Sequence, residues 1–450
     1  MDTTSCPYDP HAVGPGVTDP GITDPDVINP DVIDAYVIDA YVIDPYVIDP
    51  TGRDIHGEGA LLRARGRATQ VELPGGVVVW AVTDCELVKR LLTDPRVSRD
   101  THQHWPAWAS GELGDTWSLA MWVSDRNMIT AYGAEHTRLR KLVAKAFTFR
   151  RTAALRPRIE EISSALLDRI AGSHGGEPVD FRAEFAQPLP TQVISELLGI
   201  PADLRPDLLR LIHAILQTTT SLEDAKATER DLYALMGELL AAKRREPGED
   251  LTSGLITVRD DGGSGLTERE LIDTILLMFT AGYETTVNLL DHAVHALLTH
   301  PGQLALLRDG TAGWEDLVDE TLRLEAPFAN MPMRYAIEDI DLGDVVIPKG
   351  DAMMIAFGAA GRDPGLHGET ADAFDVTRPT RREHVAFGHG VHHCVGAPLA
   401  RLEATVALPA VFERFPGIRL AEPPEGILPL ESFISNGHRT LPVLLGPAAV

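Results

Sequence analysis

Residues 387–396 read Phe-Gly-His-Gly-Val-His-His-Cys-Val-Gly and run straight into an apolar, helix-forming stretch, 397–415. One cysteine, Cys394, therefore sits on a loop punctuated by Gly388, Gly390 and Gly396, just before a helix N-terminus. Backbone N–H groups and the helix dipole favour negative charge in that place, so a thiolate is favoured. The glycines remove side chains where the backbone must approach something large and flat, or where φ is positive. A thiolate held this way is what a haem iron needs as axial ligand if dioxygen is to be cleaved. Two plainer readings compete. A lone cysteine can be a small buried hydrophobe. His389, His392, His393 and Cys394 also crowd together as zinc ligands do, but adjacent residues converge poorly on one tetrahedral ion and zinc motifs space their ligands more widely.

A second chemical group lies upstream. Thr267-Glu-Arg-Glu270 has the form of a capping box. Leu271 to His300 then runs without proline and stops at Pro301. About thirty residues at ~1.5 Å each give a helix of roughly 45 Å, long enough to cross a large domain. Its middle, Ile275-Leu-Leu-Met-Phe279, is apolar all round and predicts burial on every side. Into that core the helix carries Gly282, Glu284, Thr285 and Thr286. Glycine weakens a helix and an unpaired buried carboxylate is costly. Heterolysis of an O–O bond consumes two protons in a dry pocket, and an acid beside a hydroxyl can relay them. A packing glycine with a salt-bridged glutamate is the alternative. Further on, Glu320 and Arg323 stand three apart on a short helix and can pair.

Taken together, these motifs resemble the cytochrome P-450 superfamily, in wording closest to soluble actinobacterial members. The resemblance rests on Phe387-x-x-Gly-x-x-x-Cys394-x-Gly396 followed by Ala-Pro-Leu-Ala-Arg401, on Ala281-Gly-x-Glu284-Thr285, on Glu320-x-x-Arg323 and on His136-x-x-x-Arg140, in family order from about residue 50 onward. It implies a mainly α fold with small β-sheets, and haem b between the long central helix and the cysteine loop. Cys394 would be the axial thiolate, with Phe387 and Gly396 beside it; Phe387 would exclude water from the sulfur. His136 and Arg140, at i and i+4, would share a haem propionate with Arg334 and His392. Glu284 and Thr285 would deliver protons to activated dioxygen. Glu320 and Arg323 would be a buried structural pair.

By position, the substrate pocket would draw on the loop Trp105–Trp122, on Leu277, Thr280 and Ala281, on Ala329, Asn330 and Met331, and on Phe433 and Ile434. Most are apolar, which suits a bulky lipophilic substrate; the resemblance narrows it to a macrolide, another polyketide or a steroid. No flavin or nicotinamide fingerprint is present, so electrons are expected from an iron–sulfur ferredoxin and its reductase. The stretch 136–159 holds eight Lys and Arg and no acid, a face that would suit an acidic ferredoxin. The expected activity is a haem-thiolate monooxygenase acting as a monomer. A non-catalytic haem-thiolate sensor and a peroxide-using peroxygenase are the alternatives, and the intact Glu284-Thr285 pair speaks against both.

The elements that position these residues are mostly helical. Helical periodicity covers 136–150, 154–172, 190–199, 203–218, 222–245, 267–300, 302–308, 314–325 and 397–415, after a first helix at 55–66 and a short one at 84–92. Residues 69–73 and 77–82 read as a hairpin around Pro74-Gly75-Gly76, and 334–336, 345–347 and 351–356 as short strands. Nothing after residue 60 looks like a linker, so 51–450 is read as one catalytic domain. Before it, 15–49 repeats with period five, ending in Pro45-Tyr-Val-Ile-Asp49. Five matches neither the helix nor the strand period, and repeated proline blocks both, so 1–50 reads as a disordered low-complexity tail. Its last unit reads as the native approach to the domain.

The net charge is −26, of which residues 1–54 carry −10, and nucleic-acid binding is not expected. The first twenty residues have no apolar core of a signal peptide, and no apolar run nears the ~18 residues of a membrane span. Three cysteines make no disulfide framework, and a cytoplasmic setting is expected.

Overall fold

A computed structural model describes residues 44–446 apart from 112, 148, 174 and 175. The pentapeptide units before residue 44, and the expected disorder of that tail, lie outside the described residues.

The central helix runs Glu268–Thr299, and its start is set by a complete capping box. Thr267 Oγ1 accepts from the Glu270 N–H, and the Glu270 carboxylate accepts from the Thr267 N–H at 2.7 Å. Apolar residues circle it, so other helices cover every side: Pro188–Leu198, Trp314–Leu324 and Ala397–Arg414 all pack against it. That bundle holds the main core, with Ile275, Phe279, Leu290 and Leu297 essentially inaccessible. The helix expected over 136–150 stops earlier, at Ala146, and a separate short helix, Phe149–Ala154, follows.

The principal sheet has six strands in the order Tyr46–Val47, Ala68–Leu73, Val77–Val82, Ala352–Ile355, Met331–Ala336, Val97–Ser98. Its hairpin pairs Ala68 with Val82 through Leu73 with Val77, closed by Gly75 and Gly76 at φ of +88° and +77°. Tyr46–Val47 adds a parallel edge strand against Val71 and Glu72, and Ile48 is buried. The last pentad is thus part of this sheet, and the ordered domain begins some residues before the boundary at 51 that composition indicated. Two- and three-stranded sheets complete the β structure.

The tryptophan-rich segment is not one open loop. It folds into the short helices Thr101–His104, Pro106–Ala109 and Met121–Ser124. Trp105 stacks on Tyr335 at 5.5 Å, and the Trp117 indole donates to the Pro74 carbonyl at 2.8 Å. These rings pin the segment to the sheet.

Glu320 and Arg323 are both wholly buried and bidentate, at 2.7 Å for each bond. Arg323 also donates to the carbonyls of Gly361, Ala371 and Ala373, and Glu320 accepts from Arg378 and from the Asp375 N–H. The pair ties the helix Trp314–Leu324 to the segment leading into the cysteine loop. No helix among the described residues is long and apolar enough to cross a membrane.

Candidate functional site

Cys394 lies where the loop meets the helix Ala397–Arg414. Its N–H donates to the Phe387 carbonyl at 2.8 Å, closing the loop on itself. Gly388 and Gly390 have φ of +71° and +69°, the left-handed region that glycine enters freely. A Cβ on Gly390 would lie 2.7 Å from the Leu92 carbonyl oxygen. Gly396 differs from that pattern: its φ is −83°, and a Cβ there would meet only the Cys394 sulfur, at ordinary contact distance.

The thiol faces a cavity that is also lined by Leu277, Ala281, Gly282 and Thr285 of the central helix. Burial raises the Cys394 pKa above its ordinary value, while N–H groups of Gly396 and Ala397 and the Arg140 charge pull the other way. A cation on the sulfur would favour the thiolate further, and a haem iron is such a cation.

Cationic and imidazole side chains also line the cavity. Arg99, Arg140, Arg334 and His392 all border it. Arg99 and Arg334 are buried and face only neutral oxygens: Arg99 donates to the Pro332 carbonyl and Arg334 to the Met333 carbonyl, each at 3.1 Å. Burial pulls Arg99 down to about 10, and burial together with Arg99 pulls Arg334 well below its ordinary value. The His136 and His392 rings lie 4.2 Å apart, tilted by 55°, both depressed by burial and neighbouring arginines, and His136 Nε2 is buried without a partner. Buried cations without anions are expensive. A ligand with two carboxylates satisfies them, as haem propionates would. The thiol, the cavity and this cluster together fit haem. Of the residues expected at the propionates, Arg140, Arg334 and His392 border the cavity and His136 packs on His392. Arg99 was not anticipated, because nothing near it in sequence marks it out.

Thr285 faces the cavity, with its hydroxyl donating to the Ala281 carbonyl at 2.5 Å. Glu284 does not. It is buried on an adjacent face of the helix, where Oε1 takes Arg182 and the Ser435 hydroxyl at 3.2 Å each, and Oε2 has no partner. Gly282 leaves room for Ile194, whose Cδ1 would stand 3.0 Å from an added Cβ.

Of the expected pocket residues, Leu277, Ala281 and Met331 border the cavity. Thr280, Ala329, Asn330, Phe433 and Ile434 do not. The last four pack on one another: the Ala329 N–H donates to the Ile434 carbonyl at 2.8 Å and the Asn330 amide to the Phe433 carbonyl at 2.7 Å. Phe433 and Ile434 thereby join the core beneath the sheet, and Ala329 and Asn330 are buried beside them. Phe328, one residue earlier, borders the cavity instead, and Trp122 of the tryptophan segment reaches it edge-on at 6.0 Å. Met128, Ile129 and Ile194 complete the apolar wall.

Most of the described cations of the stretch 136–159 are paired. Arg138 pairs with Glu135 and Glu270, Lys141 and Lys145 with Asp261, Arg156 with Glu160, and Arg158 with Glu161 and Glu196. The acids come from elsewhere in the chain or just beyond the stretch, which is why its sequence looked unopposed.

Comparison with known proteins supports this site. The family model described as Cytochrome P450 matches residues 315–425. The chain is 43% identical over 399 residues, 88% of its length and 97% of the relative's, to 2-hydroxy-5-methyl-1-naphthoate 7-hydroxylase of Streptomyces carzinostaticus. It is 38% identical to 6-deoxyerythronolide B hydroxylase of Saccharopolyspora erythraea, over 82% of this chain and 91% of that one. Among solved structures, CYP154A1 from Streptomyces coelicolor A3(2) superimposes with a TM-score of 0.85 at 51% identity, covering 89% of this chain and all of its own. Family members bind haem through a cysteine thiolate, and their fold is the mainly helical one found here. The chain belongs to the cytochrome P450 family, and it is a P450 monooxygenase.

Proposed function

We propose that the protein hydroxylates a bulky, mainly hydrocarbon molecule with dioxygen, taking electrons from an iron–sulfur ferredoxin and its reductase. The observation that carries this reading is the cavity itself, whose one lining brings together a thiol, apolar side chains and a cluster of cations. A polyketide or steroid suits the apolar wall, and the named substrates of the two curated relatives are a methylnaphthoate and 6-deoxyerythronolide B.

Haem, when bound, supplies the redox chemistry that activates dioxygen. Cys394 would hold it from one side, and Arg99, Arg140, Arg334, His136 and His392 would neutralise its carboxylates. Phe387, bordering the cavity next to the loop, excludes water from the sulfur. Leu277, Ala281, Ile194, Phe328 and Met331 would orient the substrate by apolar contact. Thr285 holds a hydroxyl at the cavity wall for proton transfer, and Glu284 supplies the proton from behind it once Oε2 turns toward that hydroxyl or a water between them. The electron donor is inferred from a chain without a flavin or nicotinamide fingerprint. With 138–158 largely paired, the docking face need not be that stretch.

The test begins with the reduced protein under carbon monoxide: a thiolate-type absorbance is expected, and a globin-like one would exclude Cys394 as ligand. Turnover of a steroid or macrolide panel with ferredoxin, its reductase and NADPH should then give hydroxylated product. Product formed with peroxide but not with the reductase chain would exclude the monooxygenase reading.

A further inference from the structure

Behind the central helix, away from the cavity, a chain of buried charged groups leads from Glu284 toward the surface. Arg182 bonds Glu284 Oε1 and Asp291 Oδ2, both at 3.2 Å. Asp291 Oδ2 is also bound by His438, through Nδ1 at 3.0 Å and the backbone N–H at 2.9 Å. The His438 ring packs 4.8 Å from His292 and 4.7 Å from His295. His292 Nδ1 lies 4.0 Å from Glu325 Oε2, which His56 meets at 2.8 Å, and the His56 side chain is 30% exposed. Glu325 is further held by Arg362 and Asn436. Groups from six separate parts of the chain thus converge on one column.

We propose that His438 is the proton reserve of Glu284, recharged from solvent through His292, Glu325 and His56. The argument is one of charge. Arg182, protonated His438, Asp291 and ionised Glu284 form a buried quartet of zero net charge. Moving one proton from His438 to Glu284 leaves the quartet neutral, with Arg182 and Asp291 still paired. Asp291 can also take that proton with the quartet still neutral, whereas loss of the proton from the quartet leaves a net charge in a dry interior, which is costly. The neutral form with the proton on Glu284 arms it as an acid.

The local chemistry agrees. Burial pulls His438 down, but Asp291 pulls it up harder and Glu325 adds to that, against Arg182, so His438 holds a proton above the ordinary histidine value. His292 and His295 are held neutral, down at about 4, chiefly by burial. A neutral imidazole next to a protonated one can accept at one nitrogen and release at the other. Glu284 Oε2, Asp291 Oδ1, His292 Nε2 and His56 Nδ1 are all buried without a protein partner, and polar atoms so placed recruit bridging water. Ser435, whose hydroxyl donates to Glu284 and accepts from Asn288, is a further hydroxyl beside the acid. In each passage one proton leaves Glu284 for the cavity, one moves from His438 to Glu284, and one enters at His56 to restore His438. No electrons move.

The inference rests on Glu284 being the acid of the proposed reaction, and the experiment separates the two. In the haem-loaded full chain with labelled histidines, the NMR titration midpoint of His438 is measured in the native protein and in E284Q. Sharing a proton with Glu284 requires the midpoint to fall in E284Q, by about half a pH unit or more; an unmoved midpoint overturns the proposal whether or not any His438 variant folds. Product formed per NADPH is then compared in E284Q and H438N, the latter able to hydrogen-bond Asp291 but not to carry a proton. Both should lose coupling several-fold. Loss in E284Q with native coupling in H438N overturns the reserve and leaves Glu284 as the acid. Native coupling in E284Q removes Glu284 from the reaction, and the reserve with it.

Discussion

At the scale of single residues, the site is a set of groups whose cost only a ligand explains. Arg334 is the sharpest case, a buried guanidinium with a carbonyl for company and Arg99 for a neighbour. In haem-free protein that charge opposes folding; in haem-loaded protein it is expected to bind a propionate. Arg334→Leu should therefore act with opposite signs. The melting temperature of the haem-free form should rise, and haem affinity should fall by tenfold or more, on the order of 1.5–3 kcal/mol for a charge-assisted hydrogen bond. Paired thermal melts and haem titration check both signs at once. Thr285 is a different kind of residue, because its hydroxyl already has a partner in the Ala281 carbonyl at 2.5 Å. Thr285→Ala costs the fold little, a few tenths of a kcal/mol at a mid-helix site where alanine is the better helix former. Its expected effect is chemical: NADPH is still consumed, but peroxide replaces product, as measured by peroxide release per NADPH.

At the scale of elements, the scaffold works by fixing loops to helices. Glu320 is the hub, taking Arg323, Arg378 and the Asp375 N–H while wholly out of water. Removing one partner from a buried pair strands the other. Glu320→Ala should thus cost about 3–5 kcal/mol in chemical denaturation, far more than an exposed pair such as Arg210–Asp207. Much of this frame was legible in the sequence. The central helix announced itself through Thr267, Glu270 and Pro301, because caps and breakers act locally. The loop at Cys394 was legible for the same reason, its glycines lying within a few residues of the cysteine. Groups whose meaning comes from a distant partner were not legible. Arg182 and Glu284 are 102 residues apart, and Arg378 meets Glu320 across 58. Phe433 and Ile434 went astray for a related reason. An apolar pair near a chain terminus can face a cavity or a core, and only the hydrogen bonds to Ala329 and Asn330 decide which.

At the scale of the whole molecule, burial of titratable groups makes stability depend on pH in a definite direction. Six histidines outside the cation cluster at the cavity are depressed by burial: His104, His213, His292, His295, His367 and His384. In the unfolded chain each binds a proton near its ordinary value, and in the folded protein only at lower pH. The unfolded state therefore holds more protons on the acid side, and stability falls as pH drops from about 6.5. For His292, His295 and His367, which reach about 4, the loss is complete only once pH passes that value, and it is on the order of 2–3 kcal/mol for each. Carboxyls raised by burial oppose this. Asp125 stands at about 8, and Glu58 and Glu403 are also raised, so these three stabilise the fold at low pH and lose that contribution as pH rises. His438, raised by Asp291, acts in the same sense as these carboxyls. The depressed histidines are expected to set the net sign between pH 6.5 and 4. Melting temperature should be lower at pH 5 than at pH 7, and His367→Gln should flatten the difference. A melting temperature higher at pH 5 would mean that the buried carboxyls dominate the ionisation of this fold.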